Sequence, residues 1–142
     1  MSYKNENMKM IELHENGLDI RFRIRENGVV ELADFSSQEV KKAIMEPKED
    51  ICYPAVEIHR SGTGSLNMHA YKNNINQSSV DFVYENHELK EQDGGKELEI
   101  VMVSPEKLKA VYHMRLFDGV PAVQTWTEII NEGSEDQGLT YV

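Results

Sequence analysis

The stretch that decides the fold covers residues 111–133 and reads VYHMRLFDGVPAVQTWTEIINEG. Apolar and polar side chains alternate along its first half, which is the period-two pattern of a half-buried β-strand. Asp118-Gly119 then supplies a tight turn, and Pro121, which has no N–H to give to a sheet, fits the beginning of the next strand. The stretch therefore predicts an antiparallel hairpin whose second strand covers Ala122–Ile130.

The same alternation recurs along the chain. It predicts strands at Leu18–Ile24, Glu97–Val103 and Lys107–Phe117, and shorter extended runs at Val29–Phe35, Ala55–Arg60, Val80–Lys90 and from Leu139 onward. The apolar residues that share a face within these strands are Leu18, Ile20, Phe22, Ile24, Leu98, Ile100, Met102, Leu108, Ala110, Tyr112, Met114 and Leu116. Turn signals at Asn27-Gly28 and Asp93-Gly94-Gly95 separate neighbouring strands. Short strands at such intervals predict an all-β fold, an antiparallel β-sandwich.

Two segments break the strand pattern. Residues 36–50, SSQEVKKAIMEPKED, carry Val40 and Ile44 at helical spacing before Pro47, so this is the one short helix that the sequence allows. Residues 61–79, SGTGSLNMHAYKNNINQSS, are rich in Gly, Asn and Ser and predict a long surface loop. Loops of that length within a domain are often functional.

Composition narrows the function classes. A chain of 142 residues with 39% hydrophobic side chains suits a single domain. Its net charge of −10 opposes a surface that follows a phosphate backbone, so no nucleic-acid partner is predicted. No apolar run approaches the roughly 20 residues of a membrane helix, and the start lacks the apolar core of a secretory signal. We therefore expect no membrane association and a cytoplasmic location.

Cysteine and histidine give no local metal or disulfide pattern. Cys52 is the single cysteine, which excludes an internal disulfide. The five histidines, at positions 14, 59, 69, 87 and 113, lack the spacing of a metal site. His113 lies on the strand face opposite Tyr112 and Met114, which predicts a solvated or rim histidine rather than a ligand. No metal and no cofactor are expected.

Neither the carboxylates nor the tryptophan identifies a functional site from the sequence alone. Glycoside hydrolysis needs two carboxylates, but the acidic residues of the C-terminal half alternate with apolar ones as solvated strand faces do, namely Glu85, Glu88, Glu91, Asp93, Glu97 and Glu99. No catalytic constellation is visible. Trp126 has two interpretations, a core anchor of the sandwich or an aromatic platform for a sugar ring. The residues alone do not choose between them.

Three segments carry a resemblance to a known family. In order they are VEIHRSGTGSLNMHAYKNN (56–74), FVYENHELKE (82–91) and residues 95–142. Together they resemble the N-terminal domain of glycoside hydrolase family 36, the bacterial α-galactosidases. The most specific part runs from 112 to 142, with Phe117-Asp118-Gly119, the strand around Trp126, and Asn131-x-Gly133. The resemblance covers roughly residue 18 to the C-terminus.

The resemblance implies a non-catalytic role for this piece of an enzyme. In the family, a β-supersandwich precedes a catalytic (β/α)₈ barrel, whose two aspartates perform the retaining chemistry, and a C-terminal β-domain. Residues 1–142 would then be an N-terminal β-sandwich domain, a fragment without the barrel, consistent with a chain that stops within a strand. The implied partners are the rest of the enzyme, further copies in a homo-oligomer, and the α-galactoside substrate of the parent.

The resemblance also implies candidates for the rim of the active site. The loop that would reach the rim is Ser61 to Asn74, and the positions that match it are Ser61, Gly62, His69 and Lys72. Trp126 is a further candidate. This sequence has Asn67-Met68-His69-Ala70 where the family has adjacent histidines followed by glycine.

Three hypotheses follow from the sequence. The leading one is the non-catalytic sandwich of an α-galactosidase that hydrolyses terminal α-linked galactosides, serving barrel docking, oligomerisation and the active-site rim. The alternative is a free-standing carbohydrate-binding module that uses Trp126, and the third is an interaction domain of unrelated function.

Overall fold

The structure, a computed structural model, describes residues 9–37, 53–62 and 77–142. Within these ranges the chain forms β-strands and one short helix. The elements are β1 (Lys9–Glu15), β2 (Leu18–Ile24), β3 (Val30–Ser37), β4 (His59–Arg60), α1 (Gln77–Val80), β5 (Val83–Gln92), β6 (Gly95–Val103), β7 (Leu108–Phe117), β8 (Val120–Asn131) and β9 (Leu139–Tyr141).

Strands β1, β2 and β3 form one antiparallel sheet in that order. Glu15 pairs with Leu18, so only Asn16 and Gly17 form the turn between β1 and β2. Both take positive φ, 52° and 81°, as a tight hairpin turn requires. Strand β1 was not anticipated, because the polar first residues of the chain obscured the alternation that begins at residue 9.

Strands β5 to β8 form a second antiparallel sheet in sequence order. Each connection is a hairpin, with Asp93-Gly94 between β5 and β6 and Asp118-Gly119 between β7 and β8. The hairpin predicted from residues 111–133 is confirmed. Pro121 is the second residue of β8, which is an edge strand of this sheet, so the missing N–H is tolerated there.

Strands β4 and β9 form a separate two-stranded pair, in which His59 lies opposite Tyr141. The strand expected from Leu139 onward is therefore confirmed, and its partner is the short β4. The rings of His59 and Tyr141 meet edge to face, with centroids 5.6 Å apart. This pair links the C-terminal residues to the segment that precedes the Ser61–Asn74 loop.

The core lies between the inner faces of the three-stranded and four-stranded sheets, which makes the fold an antiparallel β-sandwich. Phe22 of β2 meets Tyr112 of β7 across it, edge to face, with ring centroids 5.5 Å apart. All the apolar face residues predicted from alternation are buried, those of β2, β6 and β7 alike. Removing this apolar surface from water is the main contribution that holds the sheets together.

Some boundaries differ from the predictions. Ser36 and Ser37 end β3 instead of beginning a helix, and the rest of that segment, like Cys52, lies outside the described residues. The described helix, α1, lies at the end of the segment predicted as loop. Of the run Ala55–Arg60, only the last two residues form a strand, although Val56 and Ile58 are buried. Within the described ranges, no helix is long and apolar enough to cross a membrane.

Candidate functional site

The base of the candidate rim loop is tied together by Arg60. This arginine ends β4 and is buried, with 6% of its surface exposed. Its Nη2 donates to Oδ2 of Asp81 at 3.0 Å, and its Nη1 donates to Oε2 of Glu106 at 2.7 Å. The hydrogen bond from Arg60 lowers the pKa of the Glu106 carboxyl. Arg60 thus joins the chain before the loop to the chain after it.

Two buried serines of α1 complete this base. Ser79 Oγ accepts from the backbone N–H of Ile58 at 2.9 Å and donates to the Ile58 carbonyl at 3.2 Å. Ser78 Oγ accepts from the backbone N–H of Arg60 at 3.2 Å. The short helix therefore satisfies backbone groups that a longer strand pairing would otherwise satisfy. The chain is held on both sides of residues 63–76.

The rim candidates are only partly described. Ser61 and Gly62 follow β4 and are exposed, and the backbone N–H of Ser61 donates to the Gly138 carbonyl at 2.8 Å, beside the start of β9. His69 and Lys72 lie outside the described residues. Among the described contacts, none joins Ser61 or Gly62 to Trp126.

Trp126 lies on the outer face of the four-stranded sheet. It pairs with His113 of the neighbouring strand β7, and the two rings stack with centroids 4.7 Å apart and planes 5° apart. Trp126 is half-buried and does not belong to the buried core. One face of its indole is covered by the imidazole, so a sugar could stack only on the other.

His113 and its neighbours form the most unusual group of this surface. His113 Nδ1 lies 2.9 Å from Oε1 of Glu97 and 3.9 Å from Oε1 of Glu99, and its Nε2 lies 3.6 Å from Oε1 of Glu128. We call these four residues the His113 cluster. Only 6% of His113 and 7% of Glu97 is exposed, so the prediction that both are solvated was wrong.

Two polar side chains of β5 support the cluster from the adjacent strand. Lys90 Nζ donates to Oε2 of Glu99 at 2.6 Å, and Gln92 Nε2 donates to Oε2 of Glu97 at 2.9 Å. The hydrogen bond to Glu99 raises the pKa of Lys90. Each of the two carboxylates therefore has one oxygen occupied by β5 and the other directed at His113.

The arrangement brings together the donor types that a metal ion uses. One donor atom each from Glu97, Glu99 and His113 lie within 4.8 Å of one another. No local sequence pattern indicates this group, because the histidine is on another strand from the glutamates. The pairing register of β6 and β7 places Glu99 opposite His113, and this register is the feature that could have indicated the group.

Comparison with known proteins identifies the fold. No known protein family matches the sequence, and no curated protein matches it either. Among solved structures, the chain matches the GH36 alpha-galactosidase AgaA from Geobacillus stearothermophilus with a TM-score of 0.54 and 12% identity. This chain is similar in fold to part of a GH36 alpha-galactosidase.

The match covers very different shares of the two chains. The alignment covers 89% of this chain but 23% of the AgaA chain. A substituted form of AgaA in complex with raffinose matches equally, at TM-score 0.54 and 12% identity over 88% of this chain and 22% of that one. The fold expected from the resemblance is therefore present, and it corresponds to less than a quarter of the AgaA chain.

Proposed function

We propose that this chain is the non-catalytic N-terminal β-sandwich of an α-galactosidase that hydrolyses terminal α-linked galactosides. The observation that carries the proposal is the fold match to AgaA, which covers most of this chain and a minor part of that enzyme. The sequence resemblance over residues 112–142 points to the same family. The proposal retains the cytoplasmic location expected from the sequence.

In this proposal the sandwich docks on a catalytic barrel and supplies part of the active-site rim. The rim would be built from the Ser61–Asn74 loop, including His69 and Lys72. The base held by Arg60, Ser78 and Ser79 supports this role, because it holds together the described residues on either side of positions 63–76. Trp126 remains a proposed rim residue on the outer sheet face.

An activity assay tests the first part of the proposal. The purified 142-residue chain is incubated with an aryl α-galactoside, with a complete GH36 α-galactosidase as the positive control. We expect no turnover, since the two aspartates of the retaining mechanism belong to the barrel. Measurable turnover that co-purifies with the chain would show that it is an enzyme by itself and would overturn the proposal.

The reading frame that encodes the chain tests the second part. We expect the coding sequence to continue past Val142 into a (β/α)₈ barrel with aspartates at strand ends. A stop codon directly after Val142, with no barrel encoded, would contradict the docking role and favour an interaction domain of another function.

A free-standing carbohydrate-binding module is the second candidate, and the half-buried state of Trp126 favours it. A module stacks sugars on exposed aromatic rings. Trp126 is the single tryptophan, so its fluorescence reports directly on binding during titration with galactose or raffinose. A saturable change at millimolar sugar would support the module. An unchanged spectrum would reject it and leave the docking role.

Homo-oligomerisation is proposed as part of the same role. Hydrophobic side chains are exposed on the edge strand β8, at Val120 and Ile130, and around β9, at Leu139, Tyr141 and Val142. Exposed apolar edges of this kind pair readily with another chain. Mass measured by light scattering on this chain and on the longer enzyme would test whether both form the same assembly.

A further inference from the structure

We propose that the His113 cluster binds one divalent transition-metal cation of the zinc class, through Nδ1 of His113 and one carboxylate oxygen each of Glu97 and Glu99. The site lies on the outer face of the four-stranded sheet, beneath Trp126. The three ligands take no part in the proposed function, so metal binding here and that function are independent.

The donor geometry fits such an ion. Zinc binds imidazole nitrogen and carboxylate oxygen at about 2.0–2.2 Å in a tetrahedral arrangement, which separates two donors by roughly 3.4 Å. The His113 Nδ1 lies 2.9 Å from the Glu97 oxygen and 3.9 Å from the Glu99 oxygen, on either side of that value. All three donor atoms lie within 4.8 Å of one another, so side-chain rotations that draw the two carboxylate oxygens together would bring them to one ion, with water completing the shell.

The backbone holds the three donors in place. Glu97 and Glu99 are two residues apart on β6, so they share the outer face, and Glu99 pairs directly with His113 on β7. Both strands are interior to the sheet and are paired on each side. A site built on such strands is more rigid than one built on a loop.

The second ring nitrogen of His113 points to a ligand. More than nine-tenths of the side chain is buried, yet Nε2 has no hydrogen-bond partner among the described residues. Its nearest acceptor is Oε1 of Glu128, at 3.6 Å. A histidine that ligates a metal through one nitrogen usually donates the other N–H to a carboxylate. A metal on Nδ1 would leave the proton on Nε2, directed at Glu128. Metal binding would thus account both for the buried Nε2 and for the carboxylate beside it.

The charge of the surroundings also favours a cation. Three carboxylates surround His113, and Lys90, paired with Glu99, offsets one of them. With a neutral imidazole, the excess of negative charge is the amount that one divalent cation neutralises. Neutral imidazole is the form that binds metal.

Zinc titration of the full 142-residue chain, freed of metal, tests the proposal. Calorimetry measures stoichiometry and affinity, and NMR of the imidazole nitrogens shows which ring atom responds. Trp126 fluorescence provides a third signal, because its indole stacks on the ligating ring. We expect one Zn²⁺ per chain, a shift of the His113 Nδ1 resonance, and a change in Trp126 emission with the same midpoint.

Three single substitutions distinguish Zn²⁺ binding at this site from nonspecific binding to acidic side chains elsewhere on the surface. Glu99→Gln removes a ligand and should weaken Zn²⁺ binding by more than about tenfold, and Glu128→Gln should weaken it by about tenfold or more, as loss of an outer partner does. The matched control is Glu91→Gln on the same sheet, whose side chain is 81% exposed. It makes the same charge change and should leave the affinity within about twofold of the unsubstituted chain. Circular dichroism confirms that each variant is folded.

Three outcomes would overturn the proposal. The first is the absence of heat and of any His113 ring shift at millimolar Zn²⁺, which would identify the cluster as an ion-pair network only. The second is binding of equal strength in Glu99→Gln and in the unsubstituted chain, which would place the ion on other side chains. The third is a metal-dependent shift confined to Nε2, which would contradict ligation through Nδ1.

Discussion

His113 shows what alternation predicts about a residue and what it misses. The pattern of β7 correctly places its side chain on the face opposite Tyr112. Burial on that face does not follow from the pattern, because it depends on Trp126 from β8 and on Glu97 from β6. A face that is polar in sequence can therefore still contain a buried group. The prediction of a solvated histidine failed for this reason.

His14 has a carboxylate partner, Asp19, across the β1–β2 hairpin. It lies directly opposite Asp19 in the β1–β2 hairpin, and its Nδ1 is 2.5 Å from Oδ1 of that residue. The hydrogen bond to Asp19 raises the pKa of His14, and the charge of Glu12 acts in the same direction. The pair is exposed, so its effect on stability is small and is best measured by the titration of the histidine itself.

We predict that Asp19→Asn lowers the pKa of His14 toward the ordinary value of about 6.5. A raised folded-state pKa means that the pair stabilises the fold fully below the unfolded pKa and loses this effect as pH rises through the folded pKa. The difference in unfolding free energy between the two proteins should thus be larger near pH 5.5, about one unit below the ordinary histidine pKa, than near pH 8.5, about two units above it. NMR titration and urea unfolding at both pH values measure this. Unchanged His14 titration in the variant would contradict it.

At the scale of elements, the sequence predicted β2, β3, β5, β6, β7, β8 and β9, with errors of a few residues at their ends. It missed β1, although Asn16-Gly17 is a strong hairpin signal between two alternating runs. It also could not fix the connection between β6 and β7. There Lys107 takes a φ of 64°, a conformation that lysine rarely adopts, so turn composition does not reveal the register.

Asn16 connects two hairpin turns that belong to different sheets. Its Nδ2 donates to the Phe117 carbonyl at 2.8 Å, and its Oδ1 accepts from the backbone N–H of Gly119 at 2.9 Å. The side chain thereby joins the β1–β2 turn to the β7–β8 turn. Asparagine suits this position because it also tolerates the positive φ of the turn.

We predict that Asn16→Ala lowers the free energy of unfolding by about 2 kcal/mol, from two lost hydrogen bonds and the strained backbone. Asn16→Asp is the matched control, since it keeps the acceptor for Gly119 and the tolerance of positive φ but loses the donor. It should fall between alanine and the unsubstituted chain. Urea unfolding measures all three. Equal stability of the alanine variant and the unsubstituted chain would show that the bridge contributes nothing.

At the scale of the whole molecule, Arg60 joins segments that are far apart along the chain. Asp81 is 21 residues away from it and Glu106 is 46 residues away. No local pattern relates these residues. The arginine is buried and its carboxylate partners are more exposed. Removal of the cation would leave two acidic groups close together without compensation.

We predict that Arg60→Ala lowers the free energy of unfolding by about 2 kcal/mol or more, because it removes a buried arginine together with its two hydrogen-bonded ion pairs. Arg21→Ala is the matched control. Arg21 is less buried than Arg60 and lies 3.7 Å from the Glu12 carboxylate, so the loss should be about 1 kcal/mol or less. Denaturant unfolding near neutral pH compares the two. A similar loss in both variants would contradict the central role of Arg60.

The ion pair of Arg60 and Glu106 also determines part of the change in stability at low pH. Because Arg60 lowers the folded-state pKa of Glu106, the stabilisation is present above the unfolded pKa and is lost as pH falls through the folded one. The difference in unfolding free energy between Arg60→Ala and the unsubstituted chain should therefore become smaller as pH falls through the folded-state pKa of Glu106. It should remain constant toward neutral pH.

The sequence by itself determined the fold class, most strands and the residues of the core, since period-two alternation is a local property that burial of one sheet face imposes. The tertiary structure alone decided the Asn16 bridge, the base held by Arg60 and the His113 cluster. Each of these depends on the approach of residues from separate strands or turns, at distances set by register and sheet packing. The physical reason is that side-chain periodicity specifies which face a residue occupies, whereas partners across strands are specified only when the chain is folded.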